Sequence, residues 1–124
     1  MNIAILGFGT VGSGIYEILK NNAAEIEKRM GEEVKVKHIL DIRDFSGHED
    51  AELFTNDYSV ILNDSSVSVV AEVIGGIEPS LSFTKSALAA GKSVVTSNKE
   101  LVATHGTDLM ELARENGVSY LFEA

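Results

Sequence analysis

The opening residues commit the chain to a strand that turns at once into a helix. The apolar run Asn2-Ile3-Ala4-Ile5-Leu6 stops at Gly7, and Gly7-Phe8-Gly9-Thr10-Val11-Gly12 follows the pattern G-x-G-x-x-G. Behind it Val11, Ile15, Ile18, Leu19 and Ile26 recur at three- and four-residue steps, the helical period. Each glycine has a physical task. Gly7 permits the tight turn, Gly9 leaves the backbone open to a closely approaching pyrophosphate, and Gly12 lets helix and strand pack together. The exposed N–H groups and the helix dipole then attract an anion without any lysine.

The rest of the chain repeats the alternation. A helix is predicted from Thr10 to about Met30, with Gly31 as its stop, followed by a strand over Val34–Leu40. The mixed faces of that strand suit a position nearer a sheet edge. Asp44–Asn56 is polar and reads as loop, and Tyr58–Leu62 as a single helical turn. A strand over Val67–Ile74 ends at Gly75-Gly76, and a helix over Glu78–Ala90 carries Pro79 in its first turn. Ser93–Ser97 is a strand, a helix begins near Asn98 and breaks at Gly106, a last helix runs to Asn116-Gly117, and Val118–Phe122 is the final strand. Strands alternating with helices predict an α/β fold, a Rossmann-like doubly wound parallel sheet in a single domain over residues 1–124.

Composition narrows the chemistry. The chain has 124 residues and no cysteine, which removes disulfides, thiolate metal sites and cysteine nucleophiles. Its net charge of −9 argues against nucleic acid as a partner, because a phosphate backbone calls for a basic surface. No run approaches the ~20 apolar residues of a bilayer span, and no signal-peptide pattern precedes Gly7, so no membrane partner and a cytoplasmic location are expected. His38, His48 and His105 are scattered without metal spacing and read as surface or packing residues.

The glycine turn makes a dinucleotide, NAD or NADP, the expected cofactor. The fingerprint places an acid ~20 residues past the turn to hold the adenosine ribose. Asp41 comes later than that, a delay that a first helix extended through Glu25–Arg29 accounts for. Asp41 or Asp44 would favour NAD, whereas Arg43 can pair with the 2′-phosphate of NADP, and the residues leave both open. Gly7, Asp41, Gly75 and Asn98-Lys99 all fall at carboxyl ends of strands, where open α/β sheets bind ligands. Asn98 also suits the cap of the following helix. Glu72, inside an apolar strand, needs partners and reads as a structural carboxylate bonded to loop N–H groups.

Gly7–Gly12, Ala71-Glu72-Val73-Ile74-Gly75-Gly76, the run from Ala87 to Lys99 and Phe122-Glu123-Ala124 together resemble the nucleotide-binding part of homoserine dehydrogenase. The resemblance spans the chain, loosely over Asp44–Asn56, and departs at Ser97, where the family usually has alanine. It implies the NAD(P)-dependent interconversion of L-homoserine and L-aspartate 4-semialdehyde, toward threonine and methionine. It implies cofactor contacts at Phe8, Thr10 and Val11, a 2′-phosphate reader at Arg43, and a place beside the cofactor for Gly75 and Gly76. It makes Lys99 the catalytic candidate and Glu123 a ligand of a monovalent metal ion. The family's substrate domain would follow Ala124, so the chain is expected to be an inactive cofactor-binding fragment of a homodimeric parent. Two other readings stand beside it. One is a nucleotide-sensing module with no catalytic role, which has no need of Asn98-Lys99. The other is a different small-substrate dehydrogenase with the same first domain.

Overall fold

The computed structural model describes residues Met1–Phe122. Its elements are β1 (Asn2–Leu6), α1 (Thr10–Asn21), α2 (Ala23–Met30), β2 (Lys35–Leu40), a 3-10 turn (Ala51–Leu53), β3 (Phe54–Thr55), α3 (Tyr58–Leu62), β4 (Val67–Glu72), α4 (Ser80–Ala89), β5 (Ser93–Thr96), α5 (Lys99–Glu115) and β6 (Tyr120–Phe122). The strands form one parallel sheet in the order β3-β2-β1-β4-β5-β6. The order reverses between β1 and β4, which opens a crevice at their carboxyl ends.

Three expectations need correction. The first helix is two, because Asn22 interrupts it. The Asn22 side chain donates to the Ile18 carbonyl at 3.1 Å while its backbone N–H donates to the same oxygen at 3.0 Å. An asparagine that competes for backbone partners in this way ends α1 and starts α2. The stretch Asp44–Asn56 is not all loop. Phe54–Thr55 adds β3 outside β2, which leaves β2 second from the sheet edge, in line with its mixed faces. Gly106 does not break α5, which runs unbroken from Lys99 to Glu115. It lies buried, and a Cβ there would meet Val102 Cγ1 at 3.3 Å, so the glycine serves packing at a helix cost of about 1 kcal/mol.

Alternation along the strands divides the core in two. Ala4, Leu6, Leu40, Val70, Val94 and Tyr120 face α3, α4 and α5, where Ile61, Leu88, Leu101 and Leu109 are fully buried. Ile5 and Ile39 face the other way, under Tyr16 of α1. Helices therefore cover both faces around β1, as a doubly wound sheet requires. On the α1 side Val95 and Leu121 stay 41% and 57% exposed, beside an apolar groove that Val11, Ile15 and Val73 also line.

The end of the sheet opposite the crevice is locked by polar contacts. The buried Lys92 ammonium donates to the carbonyls of Asp64 (2.7 Å) and Val67 (2.9 Å), and Asp64 accepts from Lys37 and His38 at 2.7 Å each. No helix among the described residues is long and apolar enough to cross a membrane.

Candidate functional site

The turn after β1 is shaped by close backbone contacts. Gly7 has φ +99°, a conformation that side-chain-bearing residues rarely adopt. A Cβ on Gly12 would lie 1.9 Å from the Gly7 carbonyl oxygen, so α1 can approach β1 only with glycine there. Gly9 is different: a Cβ there would meet no atom within 4 Å beyond its chain neighbours. Gly9 is also the N-cap of α1 and offers no side chain to its amides. The first helical bond runs from the Ser13 N–H to the Gly9 carbonyl at 2.9 Å, so the amides of Thr10, Val11 and Gly12 have no partner within the helix. The corner is a set of outward N–H donors at the positive end of a helix dipole.

Asp41 and Arg43, after β2, are brought directly onto this corner. The Phe8 N–H donates to Asp41 Oδ2 at 2.8 Å. Arg43 donates to the same carboxylate from Nε (3.0 Å), Nη2 (2.9 Å) and its own backbone N–H (2.9 Å), and Nη2 also reaches the Phe8 carbonyl at 3.0 Å. The Arg43 guanidinium beside it, together with these N–H groups, holds the Asp41 carboxyl well below the usual carboxylate range, against the opposing effect of burial. The Asp41 side chain is 8% exposed and the Arg43 side chain 59%. Asp41 is thus occupied as an anchor, while Arg43 keeps Nη1 without a partner among the described residues and lies over the Phe45 ring, 5.3 Å from the centroid. Asp44 turns aside and accepts from the Ser46 N–H at 2.8 Å.

Sequence reasoning missed what lies beneath Phe8. Its ring meets Tyr16, Phe45, His48 and Phe54 edge-on at centroid distances of 4.9 to 5.7 Å. The signal was two phenylalanines inside a segment otherwise read as solvated loop. They support a cavity of about 490 Å³ lined by Asp41, Arg43, Phe45, Phe54 and Thr55 among others.

The turns after β4 and β5 form a second cluster. Gly75 and Gly76 have φ +87° and +74°, which shapes the turn after β4. Glu72, fully buried, accepts from the N–H groups of Ile74 (2.9 Å) and Gly75 (3.4 Å) and from the Thr96 hydroxyl (2.9 Å). The expected structural bonding of Glu72 to loop amides is therefore present. Asn98 caps α5 by accepting the Leu101 N–H at 3.1 Å, and its amide donates to the Gly76 carbonyl at 2.6 Å. Lys99 opens α5 and is exposed. Tyr120 lies close by, its buried hydroxyl without a hydrogen-bond partner among the described residues and pushed up to about 12 by burial and by the Glu72 charge. The two clusters meet at Gly7, where a Cβ would touch the Val73 carbonyl at 3.2 Å. Glu123 lies outside the described residues, and no group of metal-holding side chains occurs among those described.

Over residues 7–123 the chain matches the family model for the NAD-binding domain of homoserine dehydrogenase. The chain belongs to that family. It is 39% identical to the homoserine dehydrogenase of Lactococcus lactis over its whole length and covers 30% of that protein. Against the crystal structure of Staphylococcus aureus homoserine dehydrogenase at pH 7.5 it superposes with a TM-score of 0.90 at 42% identity, covering 99% of this chain and 31% of that one. A mutant of a hyperthermophilic archaeal homoserine dehydrogenase in complex with NADPH gives 0.79 at 32% identity, covering 98% and 43%. The chain thus spans about a third of the length of the homoserine dehydrogenases it matches.

Proposed function

We propose that this chain is the NAD(P)-binding domain of a longer, cytoplasmic, homodimeric homoserine dehydrogenase that interconverts L-homoserine and L-aspartate 4-semialdehyde. The observation that carries the cofactor site is Gly9. Nothing among the described residues needs a glycine there, whereas a pyrophosphate resting on the amides of Thr10, Val11 and Gly12 would collide with any larger side chain. When bound, the nicotinamide cofactor accepts or returns the hydride.

Each residue then has a defined task. Gly7 and Gly12 set the corner, and Phe8 fixes its floor on the aromatic cluster. Asp41 holds Arg43, and Arg43 faces outward where the adenosine ribose would lie. The carboxylate is occupied and the guanidinium is exposed, which favours the 2′-phosphate of NADP over the bare ribose of NAD. Gly75 and Gly76 keep the wall opposite the corner free of side chains. Lys99, at the end of β5, supplies a positive charge to the oxygen that becomes negative as homoserine is oxidised. Its exposed place at a helix start, where the dipole disfavours a cation, supports a role beyond packing. The substrate-holding carboxylates, the second lysine and the metal ligands grouped with Glu123 would come from the polypeptide after Ala124.

Parallel calorimetry of this chain with NAD, NADH, NADP and NADPH tests the cofactor reading. Tighter binding of NADP and NADPH is expected, and heats indistinguishable from dilution for all four would overturn it. Homoserine oxidation by the full-length protein tests the reaction.

A further inference from the structure

Resting on that reading, we propose that Glu72 and Thr96 are positioning residues that strap the turn after β4 to the start of α5, so that the cofactor wall at Gly75–Gly76 and Lys99 are placed as one unit. Glu72 and Thr96 are register partners at the carboxyl ends of adjacent parallel strands, β4 and β5. One Glu72 oxygen, Oε2, accepts from the backbone of Ile74 and Gly75, while the other, Oε1, accepts from the Thr96 hydroxyl. That hydroxyl in turn accepts the Asn98 N–H at 2.9 Å. Asn98 closes the loop by donating from its side chain to the Gly76 carbonyl and capping α5 at Leu101. Lys99 is the next residue and the first of α5. A displacement of either turn therefore pulls on the other through hydrogen bonds that are buried where they cross at Thr96.

The chemistry explains why a carboxylate stands in an otherwise apolar strand. Glu72 is an acceptor on both oxygens, and all three groups that meet it are donors. Glutamine can keep both links, with its carbonyl on the amides and its NH₂ donating to Thr96, whose hydroxyl can still accept. Valine at 96 matches the shape of threonine and removes the hydroxyl that joins Glu72 to the Asn98 N–H, leaving the Asn98–Gly76 bond in place. Aspartate at 98 keeps the acceptor that caps α5 and loses the donor to Gly76.

The test compares Thr96→Val, Thr96→Ser, Glu72→Gln and Asn98→Asp in the full-length protein. It reads kcat and KM for homoserine, NADPH affinity by cofactor fluorescence, and hydrogen exchange of peptides covering the turn after β4 and the start of α5. Thr96→Val and Asn98→Asp are expected to lower kcat by tenfold or more while NADPH affinity changes less than threefold, because Glu72 still holds the Ile74 amide. Thr96→Ser and Glu72→Gln are expected to keep kcat within threefold of the wild type. Exchange in the two peptides should rise together in Thr96→Val and Asn98→Asp. A folded Thr96→Val or Asn98→Asp protein with wild-type kcat overturns the strap, and so does a Thr96→Ser protein as impaired as Thr96→Val. If Thr96→Val does not fold, Asn98→Asp decides by the same criteria. A wild-type protein that binds NADPH and does not oxidise homoserine would sink the functional reading instead. The strap is then judged by exchange: a rise confined to the start of α5 refutes it.

Discussion

Gly12 seats its α-carbon against the carbonyl of Gly7, whereas Gly9, between them, faces open space. The two outer glycines are demanded by the protein, and the middle one is left for the proposed pyrophosphate. Gly12→Ala should therefore destabilise the fold itself, by about 1–3 kcal/mol or more, as overpacked sites do. Gly9→Ala should leave the thermal midpoint close to wild type and weaken NADPH at least tenfold. Thermal melts and fluorescence titrations of the two variants side by side check this, and a Gly9→Ala protein with unchanged affinity would remove the pyrophosphate from this corner.

Arg43 should set the choice between cofactors. A charge-assisted contact contributes about 1.5–3 kcal/mol. Arg43→Ala is thus expected to weaken NADPH by roughly one to two orders of magnitude and to leave NADH nearly unaffected. Equal losses for both cofactors would show that Arg43 shapes the corner without reading the phosphate.

Acid should loosen the same corner. The Asp41 carboxyl titrates lower in the folded chain than in the unfolded one, chiefly through Arg43. Its contribution to stability is complete above the unfolded carboxylate range, near pH 4, and drains away as the pH falls through that range toward the lower folded value. The thermal midpoint of the wild type should drop over that interval, and the difference between wild type and Asp41→Asn should shrink toward zero as the acid end is reached. A difference that stays constant with pH would mean that Asp41 acts by shape alone.

Lys99 should separate turnover from binding. In the full-length protein, Lys99→Ala is expected to lower kcat about a hundredfold or more, the scale of a lost electrostatic contact to a developing charge. NADPH affinity should change little, since Lys99 is exposed and outside the corner proposed to hold the phosphates. Steady-state kinetics paired with fluorescence titration measures both, and an unaltered kcat would exclude Lys99 from the chemistry.

The alternation of strands and helices was legible because periodicity reports which side of each element is buried. The site was legible where a residue type was odd for its place: three glycines at a strand end, a glutamate among valines, an asparagine ahead of a helix. What escaped depended on contacts distant in sequence. Asn22 breaks a helix only because its side chain turns back on Ile18, and periodicity records no such competition. Phe54 joins the sheet beside Ile39, and Gly106 survives inside α5 because Val102 fills its side. Thr96 looked like an ordinary strand residue until β4 and β5 were aligned, when it proved to stand opposite Glu72. Arg43 and Asp41 were each read as possible cofactor readers, and only geometry shows that one is spent on holding the other.

The cradle after β1 is made of peptide N–H groups, which every residue but proline carries. Short of proline, no single replacement can remove a donor from such a cradle; it can only bend it or wall it off. Lineages that inherit this corner can therefore exchange most of their side chains and still present the same donors, provided the few smallest residues stay where the chain doubles back.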